Sequence, residues 1–270
     1  MASVKLLSGY LTTALQQKEL IWQLLKREVH MRYKGTLLGM IWAMMTPLIM
    51  LVVYTFVFSV VFQARWGMTN VPGEFAQFLF CGLIVYTLFS ECVGRAARLF
   101  VSHPNYVKKI VFPLELLAVV VLGSGFFNAV VSFLILLLFI LVTHLALPLT
   151  AMLLPVVLAP LCVFILACVL AVGTLGVYVR DIGNVVSILL SMLMFLSPIF
   201  YPAEAVPEAF RFWLLLNPLA PIIDACRAVL LAGRAPDWTV LGIYMLAAMF
   251  LLHCACWFYG KARKGFADVI

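Results

Sequence analysis

Six stretches of this chain stay apolar for far longer than a globular core needs: roughly Thr36–Phe62, Phe75–Val93, Leu114–Val142, Leu149–Val177, Val185–Tyr201 and Val240–Tyr259. A helix rises about 1.5 Å per residue, so about 20 apolar residues cross a hydrocarbon layer about 30 Å thick. Every stretch but the fifth reaches that length. Where no water solvates a backbone, only a helix or a closed barrel satisfies its N–H and C=O groups. The runs are continuous rather than alternating, which predicts an all-α integral membrane protein with six transmembrane helices. Composition agrees: 66% of the 270 residues are hydrophobic and 11% charged, against about half and about a quarter in soluble domains. Little is left for a soluble domain, so the expected organisation is an N-terminal region over 1–35, a membrane domain over 36–260 and a short tail over 261–270.

An even number of spans puts both ends on one side, and lysine and arginine decide which. Lys5, Lys18, Lys26, Arg27, Arg32 and Lys34 precede the first span; Arg95, Arg98, Lys108 and Lys109 follow the second; Arg180 follows the fourth; Lys261, Arg263 and Lys264 follow the sixth. Only Arg65, Arg211, Arg227 and Arg234 fall on the opposite side. The lopsided split makes the crowded side cytoplasmic and explains the net charge of +7 without nucleic-acid binding. The N-terminus shows no apolar core followed by a small-residue cleavage site, so no removable signal peptide is expected.

Three features lie outside the expected spans on the cytoplasmic side. Ala14–Lys34 reads as an amphipathic basic helix, with Leu20, Ile21, Leu24 and Leu25 on one face and Lys18, Gln23, Lys26, Arg27 and Arg32 around the rest. Such a helix lies in the interface, apolar side down, either as an anchor or as a lever to a partner. Between spans two and three, Arg95–Ser102 can continue a helix until Pro104 breaks it and Asn105 favours a turn. This is either a docking surface or a plain basic loop. Arg180 and Asp181 sit side by side after span four, as a surface pair or partner contacts.

Leu196–Pro221, LSPIFYPAEAVPEAFRFWLLLNPLAP, holds five prolines in an otherwise oily chain. Pro198 and Pro202 end span five. Pro207 can start a short helix with Glu208 in its first turn, Asn217-Pro218 stops it, and Ile222–Leu231 can form another. Two helices too short to cross predict a re-entrant hairpin at the outer end. Phe195, Phe200, Tyr201, Phe210, Phe212 and Trp213 gather there, either as an interfacial aromatic belt or as rings facing a lumen, on which the C–H faces of sugars would slide.

The missing motifs restrict function as well. The seven cysteines form no CxxC and mostly lie in apolar runs, as small buried hydrophobes. The four histidines are scattered and form no HExxH, so no metal site is expected. There is no GxxxxGK[ST]: Gly260-Lys-Ala-Arg-Lys-Gly265 runs on into Phe266 and Ala267. No GxSxG occurs either. Glu91 and Glu115 stand near span ends, and spans one, three, four and six carry no charge at mid-membrane, where ion-coupled carriers place theirs. The chain therefore reads as a conduit whose energy comes from elsewhere.

Several stretches together carry a family resemblance: Arg32-Tyr-Lys-Gly-Thr-Leu-Leu-Gly39 with Trp42 and Pro47, Val111-Phe-Pro-Leu-Glu-Leu116, Arg180-Asp181, Ser197-Pro-Ile-Phe-Tyr201, and Asn217-Pro-Leu-Ala-Pro221 with Arg227. In this order and spacing, over roughly residues 15–260, the chain resembles the membrane subunit of ABC-2 type polysaccharide exporters, which move O-antigen, capsule or teichoic-acid chains out of bacteria. Ala118 stands where many of those proteins carry proline. The resemblance implies a homodimeric pore in the inner membrane above two separate nucleotide-binding ATPase subunits. These would hold the ATP and magnesium, leaving this chain without cofactor or catalytic residue. It implies that Ala96, Ala97, Arg98, Leu99, Phe100, Val101, Ser102 and His103 form the coupling helix, and that Ala14–Lys34 is the interfacial helix. Pro207–Leu231 would be the re-entrant pair. The substrate would be a glycan on an undecaprenyl-diphosphate lipid, with Arg27, Arg32 and Lys34 at headgroup level to meet the diphosphate. Three other readings compete: a drug or lipid exporter of the same superfamily, a membrane enzyme acting on lipid-linked sugars, which would need converging carboxylates or histidines, and a simple channel without an ATPase.

Overall fold

The computed structural model describes residues 16–62, 73–104 and 113–269. Lys5, Arg65, Asn105, Lys108, Lys109, the Ala14 start of the amphipathic segment and the Val111-Phe112 half of its motif lie outside them. All regular structure among the described residues is helical.

Helix α1 (Lys18–Tyr33) ends where Lys34 turns extended and Gly35 takes φ 83°. A 3-10 turn at Gly39–Ile41 leads into α2 (Trp42–Tyr54), which widens into a π-helical stretch over Thr55–Val61. Helix α3 (Glu74–Ala96) starts after Gly73, whose φ of 87° favours glycine. Helix α4 (Leu116–His144) is followed by α5 (Leu154–Tyr178) and α6 (Ile182–Leu196). Two short helices, α7 (Glu208–Leu216) and α8 (Ala220–Leu230), occupy the proline-rich region. Helix α9 (Trp238–Ala262) is capped by Asp237, whose carboxylate accepts from the Thr239 and Val240 amides at 2.9 and 3.2 Å. A 3-10 turn, Arg263–Gly265, then leads to the four-residue α10 (Phe266–Val269).

Five helical stretches are long and apolar enough to cross a membrane: Gly39–Phe58, Glu74–Ala96, Leu116–His144, Leu149–Tyr178 and Trp238–Gly265. The segment expected as span five is a helix of 15 residues, about 22 Å long. Its end has a local cause. Proline at 198 lacks a donor and pushes the residue before it out of the α region, and Ser197 is extended at ψ 147°.

Helix α3 is the central element, buried along most of its length and packed on α4, α5 and α8; α9 lies along α5. Helix α2 is peripheral, with Met44, Leu48, Val52 and Phe56 exposed. The apolar side of α1 packs in part on α4. Leu24 is in the core, and a Cβ at Gly123 of α4 would come within 3.0 Å of the Leu25 side chain. Glycine opens similar seats elsewhere. A Cβ at Gly125 would sit 2.6 Å from Cys92 Sγ, and one at Gly173 would sit 3.1 Å from the Phe100 ring. At Gly176 it would run into the Ala97 carbonyl itself.

Backbone cannot yield as a side chain can, so Gly176→Ala is expected to cost about 3 kcal/mol or more and to lower the yield of folded protein from membranes. A methyl group on Gly242 in α9 would meet nothing within 4 Å, and Gly242→Ala should leave the unfolding midpoint in detergent unchanged or slightly raised.

Candidate functional site

Three polar assemblies interrupt the apolar bundle. The first joins α1 to α3 and α4. Arg32 pairs with Glu91, and Arg95 pairs with Glu28 while lying 3.9 Å from Glu91. Asn128 Nδ2 donates to Glu91 at 3.1 Å, Tyr33 Oη donates to Asn128 Oδ1 at 3.1 Å, and Arg95 reaches Ser124 Oγ at 3.3 Å. The charges alternate Glu28, Arg95, Glu91, Arg32, so the chain of contacts is neutral overall. Burial alone would lower the Arg32 pKa, but the hydrogen bond and charge of Glu91 outweigh it and hold the guanidinium above its ordinary value. Burial also raises the Tyr33 phenol. Beside the cluster lies a cavity of about 380 Å³ between α2, α3 and α4, with Arg32, Glu91 and Asn128 at its polar end and Pro47, Tyr54 and Phe80 among its walls.

The second assembly is the segment expected as a coupling helix. Helix α3 stops at Ala96, and residues 97–103 form successive turns rather than a continuing helix. Leu99 N bonds Ala96 O at 3.0 Å, Ser102 N bonds Arg98 O at 2.9 Å and His103 N bonds Phe100 O at 3.1 Å. Ala96, Ala97, Leu99 and Phe100 pack inward, while Arg98, Val101 and Ser102 face out. Ser102 Oγ and His103 Nδ1 both contact Leu99 O, at 3.2 and 2.9 Å, and close the turn. Glycines Gly173 and Gly176 of α5 form its seat.

The third is the outer proline-rich unit, centred on Arg227 of α8, which is 5% exposed. Its Nη1 donates to Pro198 O at 2.7 Å and its Nη2 to Ile199 O at 3.1 Å. Nε and Nη2 both reach Phe78 O of α3 at 3.1 Å. Asp224 lies 3.9 Å away, and Gly82 leaves room for the guanidinium. Asn217 Nδ2 donates to Ser197 Oγ at 2.9 Å, Ser197 Oγ donates to Leu193 O at 2.7 Å, and Asn217 Oδ1 accepts from the Leu219 amide at 2.9 Å. The carbonyls freed by the proline break thus find donors from α8 and its preceding turn.

The aromatic residues of this region divide into two groups. Phe195 stacks on Phe200 at 6.1 Å near the end of α6, where Tyr201 Oη donates back to Leu196 O at 3.0 Å. On α7, Phe212 meets Trp213 edge-on at 6.3 Å, and Phe210 is exposed. Phe212 lines a cavity of about 1090 Å³ bounded by α7, α8 and α9. Among the cations expected at a diphosphate, Arg32 pairs with Glu91, and Arg27, Arg32 and Lys34 are all exposed. Sequence reasoning missed Glu28, Glu91, Arg95 and Asn128 as one cluster, and it left Arg227 as an outer cation. The available signal was Glu91 and Arg95 at i,i+4 where an apolar run ends, facing an asparagine inside another.

Among the described residues no three His, Cys, Asp or Glu side chains are placed to hold a metal ion. The polar groups bind helices to one another, so fold and sites define a multi-pass helical membrane protein. The chain belongs to the ABC-2 type transporter family, whose membrane domain matches residues 19–231. It is 28% identical to the O-antigen export system permease protein RfbA of Myxococcus xanthus, over 94% of this chain and 96% of that one. It is 22% identical to a protein of the same name from Klebsiella pneumoniae, over 93% and 95%. To the polysialic acid transport protein KpsM of Escherichia coli it is 26% identical, over 87% and 91%.

Lysine cannot reproduce the fork that holds three carbonyls, so Arg227→Lys should cost about 2–4 kcal/mol, read as an earlier unfolding midpoint in denaturing detergent. A double-mutant cycle of Arg32→Gln and Glu91→Gln should return a coupling of about 1–2 kcal/mol; additive losses would show that the pair contributes nothing beyond its members.

Proposed function

We propose that this chain is the permease subunit of an ATP-driven exporter that moves lipid-linked polysaccharide, O-antigen in the first instance, across the bacterial inner membrane. The supporting observation is similarity along nearly the whole chain to permeases named for O-antigen and polysialic acid. In this reading two copies enclose the conduit, the side rich in lysine and arginine is cytoplasmic, and α6 with Ser197–Tyr201 completes a sixth crossing. Helices α7 and α8 form the re-entrant outer wall. ATP and magnesium belong to two separate subunits, which dock on the outward face of the 96–103 turn through Arg98, Val101 and Ser102. Arg27, Arg32 and Lys34 meet the diphosphate at headgroup level, Arg32 exchanging its pairing with Glu91 for it. Phe195, Phe200, Tyr201, Phe210, Phe212 and Trp213 supply the aromatic surface over which the sugar chain passes.

Reconstitution of the permease with its ATPase subunits should give nucleotide-dependent movement of lipid-linked polysaccharide into vesicles. Movement by the permease alone would overturn the reading, and transport confined to small lipids or drugs would shift it to the other exporters of the family. Replacing Arg98 by glutamate should lower ATPase co-purification or stimulation by about tenfold while the permease itself remains folded.

A further inference from the structure

Beyond α9 the chain does not run off into solvent. It turns through Arg263–Gly265 and inserts Phe266, which is 1% exposed, into the bundle. Its ring lies 5.4 Å from Phe100 and meets Tyr178 and Tyr259 edge-on, each at 6.0 Å; Phe100 and Tyr259 are 5.9 Å apart. The approach is fixed by polar contacts. Tyr178 Oη donates to Ala262 O at 2.6 Å, Tyr259 Oη donates to Glu115 Oε2 at 2.9 Å, and Arg263 Nη1 lies 3.7 Å from the same carboxylate. Gly265 fits beneath the Tyr178 hydroxyl, where a Cβ would sit 2.8 Å away.

Phe100 is the inward anchor of the 97–103 turn, whose other side carries Arg98, Val101 and Ser102. The turn rests on α5 at Gly173 and Gly176, and Ala97 Cβ would be 3.7 Å from a Cβ at Gly183, the start of α6. Phe266, together with Tyr259, packs against the Phe100 ring. We propose that Phe266 is a positioning residue for energy coupling: it braces the 97–103 turn from below, so that a push on the outward face displaces α5 and α6 instead of being absorbed by the turn. This rests on the docking role assigned to that turn above. A load passes through a packed contact only if its far side is supported, since side chains in a void relax by changing rotamer. An unbraced Phe100 would swing into the space left by the missing ring and the turn would yield. The ring contacts to Phe100, Tyr178 and Tyr259 come from Phe266 itself, so its loss is tested apart from loss of the tail end.

The test uses the whole complex, permease with ATPase subunits, in vesicles supplied with lipid-linked polysaccharide extracted from the producing strain. ATP hydrolysis and polysaccharide transport are measured on the same preparation. For Phe266→Ala the amount of polysaccharide moved per ATP should fall by about fivefold, with hydrolysis and ATPase co-purification retained. Phe266→Leu, which keeps apolar bulk, should recover most of the ratio, and deletion of residues 267–270 should leave it intact. An unchanged ratio in Phe266→Ala overturns the proposal, and so does an equal fall of transport and hydrolysis, which marks a merely structural residue. If Phe266→Ala does not assemble, Phe266→Val takes its place: a ratio below that of Phe266→Leu supports the proposal, and an unchanged ratio, or an equal fall on deletion of residues 267–270, overturns it. Absence of nucleotide-dependent transport in the unaltered complex would instead defeat the function proposed for the chain.

Discussion

A proline in an apolar helix strands backbone carbonyls in a medium that offers no water, each at a cost of several kcal/mol if left unpaired. The break at Ser197-Pro198-Ile199 draws its relief from a buried guanidinium together with the Ser197 and Tyr201 hydroxyls, which donate to Leu193 O and Leu196 O. Arg227 carries five donors in a rigid fork, and it directs them to Pro198 O, Ile199 O and Phe78 O. A buried cation is itself costly; here the oxygen dipoles around it and Asp224 at 3.9 Å compensate. One side chain thereby fixes the end of α6, the position of α8 and the contact of both with the central helix α3. Gly82 is part of the same device, because a side chain there would press on Nη2 at 3.2 Å.

The opposite ends of these helices are held by different means. Near Ala97 the contacts are carbonyl against glycine and ring against ring, with few polar bonds between elements. At α1 they are ionic: Glu28, Arg95, Glu91 and Arg32 alternate in sign, and Asn128 and Tyr33 fill the remaining hydrogen-bonding positions. Close packing is brittle and responds to displacement, whereas an alternating ionic chain can exchange partners while staying neutral. Helix α6 runs between the two arrangements, touching Ala97 at one end and ending at the Arg227 clamp at the other. Along its length it leaves Ile188, Met192 and Phe195 exposed, a face suited to lipid or to a second copy of the chain.

Much of the fold was legible in the sequence because apolar length alone dictates spanning helices, and the bounds of four spans agree with the observed helices to within a few residues. Proline positions also gave the two short helices and the stop near Asn217-Pro218. What was not legible depended on which groups meet across the bundle. Arg227 read as one of four cations on the less charged side because burial leaves no mark on residue type. Leu20, Ile21, Leu24 and Leu25 read as one apolar stripe, but that Leu25 packs at Gly123 was not legible, since an apolar face looks the same whatever its neighbour. The 96–103 segment read as a helix up to Pro104; that Phe100 there meets Phe266, more than 160 residues further on, left no local mark.

Part of the family resemblance is therefore carried by residues that make a broken helix tolerable. Ser197, Asn217 and Arg227 bond to one another or to backbone, Pro198 O accepts from Arg227, and these polar groups are occupied by the fold. Such a set specifies an architecture with a short α6 and two short outer helices, and it does so regardless of cargo. In the function proposed above, discrimination between one glycan and another falls to side chains that the clamp leaves exposed, such as Phe195, Phe210 and Trp213. These can change without stranding a carbonyl. This separation accounts for a chain that matches permeases named for different polymers over almost its whole length at 22–28% identity: the demanding chemistry lies in holding the backbone together, and the aromatic surface proposed for the passing sugars asks for little sequence precision.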